Sequence, residues 1–263
     1  MKKKRTPIRM RKGVYILPNL FTTGNLFCGF WAIVSVFQER FEYAAYAILL
    51  ASVFDVLDGI VARLSGATSK FGVQYDSLAD LVSFGVAPAL LAFSWALRPY
   101  GKFGWLAAFL FVACGALRLA RYNVLAASGE TKYFKGLPIP AAAWMIAVTI
   151  LLYFELIETG GVKDIIILVM IYALAFLMVS NIRYFSLKEL ALAKRKSLSS
   201  FGFLVLSLIV FAIVIAMAHA LMLFCFAFLY VLTGPARMVW VWHKKRVLRR
   251  TEPVPDEDLV VRG

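Results

Sequence analysis

The chain has 263 residues, 62% of them hydrophobic and 17% charged, and carries a formal net charge of +14. That balance excludes a soluble globular domain, in which about a quarter of residues are charged. The basic residues do not mark nucleic-acid binding, because they lie between apolar runs and at the two ends, where the anionic face of a bilayer is the fitting partner.

Residues 1–19 form a basic segment with no short apolar stretch and small-residue cleavage site behind it, so no cleavable signal is expected. Apolar runs of the length that crosses a hydrocarbon core of roughly 30 Å then predict eight spans, over 20–38, 43–63, 73–97, 104–122, 139–157, 164–182, 200–217 and 219–236. The expected fold is an all-α polytopic membrane protein. Its last division is the least distinct: Ser200 to Leu232 is one apolar run broken by Ala218-His219-Ala220, too long for one span and suited to two joined by a tight turn. Residues 237–263 read as a basic and polar tail. Cys28, Cys114 and Cys225 lie inside apolar runs without metal-ligand spacing and read as small buried hydrophobes. His219 and His243 are expected at the surface, in an outward turn and in the tail.

Orientation follows from Lys and Arg. With the N-terminus in the cytoplasm, only Arg40, Arg98, Lys102 and Lys163 fall on the opposite side. Both termini are therefore expected on the cytoplasmic face of the cytoplasmic membrane.

Four aspartates stand out against this apolar background. Asp55 and Asp58 close the second span, and Asp76 and Asp80 open the third. An ionised carboxylate at the centre of a membrane helix costs about 2.5–3.5 kcal/mol even on the lenient insertion scale. Residues three or four apart share a helix face, so each pair points one way, and the short loop brings the two helices together antiparallel. Four converging carboxylates repel one another, and two divalent cations balance their formal charge. Hard oxygen ligands suit Mg²⁺, Mn²⁺ or Ca²⁺ rather than zinc. Gly59 and Ala62 leave room on the second span, Gly72 opens the third, and Arg63, Ser69 and Lys70 supply phosphate-binding donors. Polar contact between helices, or an ion site in a coupled transporter, are the competing uses of such acids. The later spans carry no second acidic cluster of the kind an internally repeated transporter would show.

Written out, the run is Asp55, two residues, Asp58-Gly59, two residues, Ala62-Arg63, eight residues, Gly72, three residues, Asp76, three residues, Asp80. It resembles the signature of the CDP-alcohol phosphotransferase family, matching it at every fixed position. The resemblance implies cleavage of the pyrophosphate of a CDP-linked lipid, transfer of the phosphatidyl group to an alcohol, and release of CMP. It implies that Asp55 and Asp76 bridge two ions, Mg²⁺ or Mn²⁺, that Asp58 completes the first site, and that Asp80 ligates the second and acts as base. Gly59, Ala62, Arg63, Ser69 and Gly72 would hold the CDP-lipid, as would Asn19, Thr22 and Asn25 ahead of the first span. A helix cap is the competing use of those last three.

Gly115-Ala-Leu-Arg118-Leu-Ala-Arg121-Tyr-Asn123 and Lys135-Gly136-Leu-Pro138-Ile-Pro140 flank the fourth connection, and Ser180-Asn181-Ile-Arg183-Tyr184-Phe-Ser186-Leu-Lys188 follows the sixth span. These segments look like the phosphatidylserine synthase branch of the family, over residues 14 to 188. The branch implies CDP-diacylglycerol and L-serine as substrates, with Arg118, Arg121 and Asn123 as candidate serine contacts; snorkelling to the surface is the competing reading of Arg118. Glycerol 3-phosphate, inositol or its phosphate, and choline are the alternative acceptors. The resemblance further implies a homodimer. Residues 20–188 would be the catalytic core and 189–236 two additional spans.

Overall fold

The computed structural model describes residues 16–65, 69–127, 136–157, 164–182, 184 and 219–251, and every regular element among them is helical. In chain order these are α1 (Ile16–Phe37), α2 (Phe41–Ser65), α3 (Lys70–Tyr100), α4 (Lys102–Ala127), α5 (Ile139–Ile157), α6 (Ile165–Val179) and α7 (Ala220–Thr251).

α1 and α2 form a tight hairpin. Its turn is Gln38 to Arg40, with Glu39 at φ 59°. Cys28, Ala32 and Val36 repeat every four residues along the buried side of α1, and α2 answers with Ala44, Ala47, Ile48 and Ala51, all at most 4% exposed. Small residues in register let the two backbones approach, which is how helices associate where lipid removes the hydrophobic drive.

α3 is interrupted twice. It is α-helical through Asp80, widens into a π-helical turn over Leu81–Val86, returns to α over Ala87–Ala92, and widens again over Phe93–Leu97. Pro88 has no N–H to return to the Phe84 carbonyl, and the widened turn before it absorbs that missing bond. Hydropathy alone predicts one uninterrupted span here.

α5 is the central helix, buried almost continuously from Ala142 to Leu151, and it packs against α2, α6 and α7. The chain enters it through Gly136, whose N–H bonds the Ile182 carbonyl at 2.8 Å, and Leu137, whose N–H bonds the Leu177 carbonyl at 2.9 Å. Gly136 has φ 87°, and a Cβ there would run into the Met178 carbonyl, so only glycine fits. At the opposite end, Asp164 caps α6 by accepting the Ile166 N–H at 2.8 Å and the Tyr153 hydroxyl at 2.6 Å. Those two bonds, the Tyr153 one first, hold its carboxyl below the usual aspartate range. Glu155 accepts the Ala220 N–H at 2.7 Å and pairs with His219 at 2.9 Å, tying the start of α7 to the end of α5.

Among the described residues, six helices are long and apolar enough to cross a membrane. Their outer faces carry Phe27, Phe30, Phe103, Phe109 and Phe226, each more than half exposed, as a surface meeting hydrocarbon requires. The predicted span 164–182 is helical only over the 15 residues of α6, about 22 Å at 1.5 Å per residue. The predicted span 200–217 lies outside the described residues. α7 runs on through Pro235 to Thr251, well beyond the expected end at 236, because nothing between Arg237 and Arg250 breaks a helix.

Candidate active site

The carboxylates converge as the helix spacing requires. Asp55 from α2 and Asp76 and Asp80 from α3 each offer an oxygen within 4.8 Å of the others. Asp58, one turn beyond Asp55, lies against Asp76, and its Oδ2 accepts a 2.9 Å hydrogen bond from the Thr22 hydroxyl of α1. Asp80 is 8% exposed, and its Oδ1 accepts the Asn25 side-chain amide at 3.0 Å. Asn25 is itself fixed by the Ser83 hydroxyl, which donates to its main-chain carbonyl at 2.9 Å. Gly29 permits this approach: a Cβ there would overlap Ser83, including its Cα at 2.7 Å.

Thr22 and Asn25, expected to contact the nucleotide, thus hold two of the carboxylates in this structure. Their proximity to Asp58 and Asp80 is invisible in sequence, since 36 and 55 residues separate the partners. Asn19, Ser69 and Gly72 gather at the start of α3. The Gly72 N–H donates to Ser69 Oγ at 2.9 Å, capping the helix, and a Cβ on Gly72 would lie 3.6 Å from Asn19 Oδ1. Beside them Thr23 and Tyr75 share a 2.9 Å hydroxyl bond, a pair that the spacing did not signal. Gly59 and Ala62 are half-buried on α2. The Arg63 side chain lies outside the described residues.

α4 brings up the third group. Arg118 is 7% exposed, and its Nε has no hydrogen-bond partner among the described residues. Asp80 lies within electrostatic reach of it. Asn123 donates to Ser77 Oγ at 2.9 Å, which joins it to the turn of α3 that carries Asp76 and Asp80. Arg121 is occupied otherwise: two of its nitrogens donate to the Val179 and Ser180 carbonyls, each at 3.3 Å, closing the C-terminus of α6. Ser77 gave no signal in sequence; its role appears only once α3 and α4 are seen side by side.

Three carboxylates at this separation, with a fourth beside them, fit a hard divalent cation, which neutralises charge that would otherwise force them apart. The CDP-alcohol phosphatidyltransferase family model matches residues 15–179, which contain the whole cluster. The chain belongs to that family. Among curated relatives, a CDP-diacylglycerol–serine O-phosphatidyltransferase of Helicobacter pylori is 40% identical over 176 residues, 67% of this chain and 74% of that one. The enzyme so named in Bacillus subtilis is 35% identical over 168 residues, covering 64% and 89%. An archaetidylserine synthase of Methanothermobacter thermautotrophicus is 40% identical over 170 residues, covering 64% and 69%. For a CDP-alcohol phosphatidyltransferase the arrangement is coherent: acids between two helices, polar groups at the α3 N-terminus, and a buried cation on α4.

Proposed function

We propose that this integral membrane enzyme transfers the phosphatidyl group of CDP-diacylglycerol to the hydroxyl of L-serine, giving phosphatidylserine and CMP. The observation that carries the reading is Asp80: buried, held by Asn25 through one oxygen, and gathered with Asp55 and Asp76. Asp55, Asp58, Asp76 and Asp80 would hold two divalent ions, Mg²⁺ or Mn²⁺, which when bound stabilise charge on the attacking and leaving oxygens.

The remaining work falls to the chain. Asn25 occupies Oδ1 of Asp80 and leaves Oδ2 to take the proton of the incoming hydroxyl, the step an alcohol needs before it can attack phosphorus. CMP leaves as a phosphomonoester with a second pKa of roughly 6, so it needs no acid. Asn19, Ser69, Gly72 and Arg63 would face the nucleotide, with Gly59 and Ala62 leaving space for it. Arg118 would pair with the serine carboxylate and Asn123 with its ammonium, while Arg121 positions the end of α6 behind them. The active site and both termini would face the cytoplasm. Homodimer assembly and contact with anionic lipids are further parts of this reading, supported by the family resemblance and the basic ends.

The test is CMP release from CDP-diacylglycerol and from its ether-linked analogue, with serine, glycerol 3-phosphate, inositol, inositol phosphate and choline offered in turn. Release with serine alone is expected, abolished by a chelator and restored by Mg²⁺ or Mn²⁺. Release with another alcohol but not serine would overturn the acceptor and leave the reaction class.

A further inference from the structure

The family match stops at residue 179, yet α7, which begins at Ala220, comes within electrostatic range of the buried cation of the site. Half-buried Tyr230 of α7 is within electrostatic range of the buried Arg118 guanidinium. Two adjacent residues explain how α7 is seated there. Pro235 has no N–H, so the Val231 carbonyl four residues earlier loses its helical donor. The Tyr184 hydroxyl supplies a replacement at 3.3 Å. Gly234 makes room for it, since a Cβ at that position would run into the Tyr184 ring. Tyr184 is 4% exposed, and its ring stands 6.1 Å from that of Tyr230 at 35°. A contact of that geometry favours a defined ring placement. Tyr184 follows α6, whose end Arg121 fixes from α4. A chain of contacts therefore runs from α4 through the end of α6 to α7 and back to Arg118.

We infer that α7 is part of the acceptor site, with Tyr230, seated by Tyr184 on the Gly234–Pro235 turn, acting as the residue that confines Arg118 and sets its fit to the acceptor. A buried guanidinium whose Nε has no hydrogen-bond partner among the described residues is costly in the membrane interior and gains from a carboxylate brought to it. The Tyr230 ring, held by Tyr184, would fix where that carboxylate is met. This rests on the reading of Arg118 as the acceptor's partner. It assigns acceptor recognition in part to a helix outside the family's shared segment.

The experiment uses the full chain in detergent–lipid mixed micelles, measuring CMP release against serine at saturating CDP-diacylglycerol and the reverse. Tyr230→Ala is expected to raise KM for serine about tenfold, the effect of one lost interaction, with KM for CDP-diacylglycerol within about twofold. Tyr230→Phe, which keeps the ring, should recover most of the loss. Tyr184→Ala should reproduce the defect by releasing α7. Arg118→Gln combined with Tyr230→Ala should be no worse than Arg118→Gln alone, because the tyrosine acts through the arginine. Equal changes in both KM values, no change in a folded variant, or additive losses would overturn the inference. If Tyr230→Ala does not fold, as judged by thermal melting, Tyr230→Phe and Tyr230→Leu run through the same cycle. If the wild-type enzyme uses a different alcohol, the serine reading fails, and the inference then stands or falls on whether Tyr230→Ala raises KM for that alcohol selectively. No release with any alcohol would overturn both.

Discussion

Asp80 and Asn25 show how much a single hydrogen bond can decide. The amide occupies one carboxylate oxygen, and in the proposed mechanism it thereby sets which lone pairs would face the substrate. Replacing Asp80 with Asn keeps the shape and removes the basic oxygen. Asp80→Asn should therefore fold and bind CDP-diacylglycerol normally while losing nearly all turnover, and substantial retained activity would remove it from the role of base. Asn25→Leu leaves the base but frees its orientation. A hydrogen bond to a charged group contributes about 1.5–3 kcal/mol, so kcat should fall by about 10- to 100-fold with little change in either KM. Single-turnover CMP release with equilibrium binding of the lipid separates the two cases. The spacing of the four aspartates was enough to bring them together in advance. What spacing could not say is that Thr22 and Asn25 would turn toward them, because nothing in a local pattern reports which residue of another helix lies opposite.

Between elements, the decisive contact is α1 against α3. Gly29 sits on the Ser83 backbone, and the Asn25–Asp80 and Ser83–Asn25 bonds cross the same interface. A methyl group at Gly29 meets a main-chain carbon rather than a movable side-chain tip, so the helices must part. Gly29→Ala should lower the melting temperature in detergent and depress activity, and Ser83→Gly should fail to rescue it because the obstructing Cα remains. Unchanged melting and turnover would mean that α1 can shift without disturbing Asp80. Positions of the described helices up to α6 were legible at this scale to within a few residues, since apolar length reads directly as a span. The two π turns of α3 were not, because hydropathy is blind to whether a helix closes on the fourth or the fifth residue. Nor was the extension of α7, since charged residues past a membrane boundary read as a tail until the backbone is seen to continue.

At the scale of the molecule, the described helices sort their polar groups to two ends. The carboxylates, Asn123, Gly136 and the Arg121 cap of α6 gather at one end, and Glu39, Asp164 and the Glu155–His219 pair lie at the other. The proposed orientation puts the carboxylate end in the cytoplasm, the side that the positive-inside tendency expects for the basic stretches of the sequence. Serine and CMP are charged and water-soluble, so a site opening there meets its acceptor and releases its nucleotide without either crossing lipid. The orientation is open to a direct test in a chain whose Cys28, Cys114 and Cys225 are replaced by Ala. A cysteine at Glu39 or His219 should react with an impermeant maleimide added to intact cells, and one at Ser69 only after permeabilisation. A fluorescent protein fused after Gly263 should fluoresce, and an alkaline phosphatase fused there should stay inactive. Labelling of Ser69→Cys in intact cells would reverse the orientation, and the acceptor would then have to arrive from outside. Labelling of Glu39→Cys and Ser69→Cys from the same side would instead break the hairpin of α1 and α2, because one crossing by α2 must separate them.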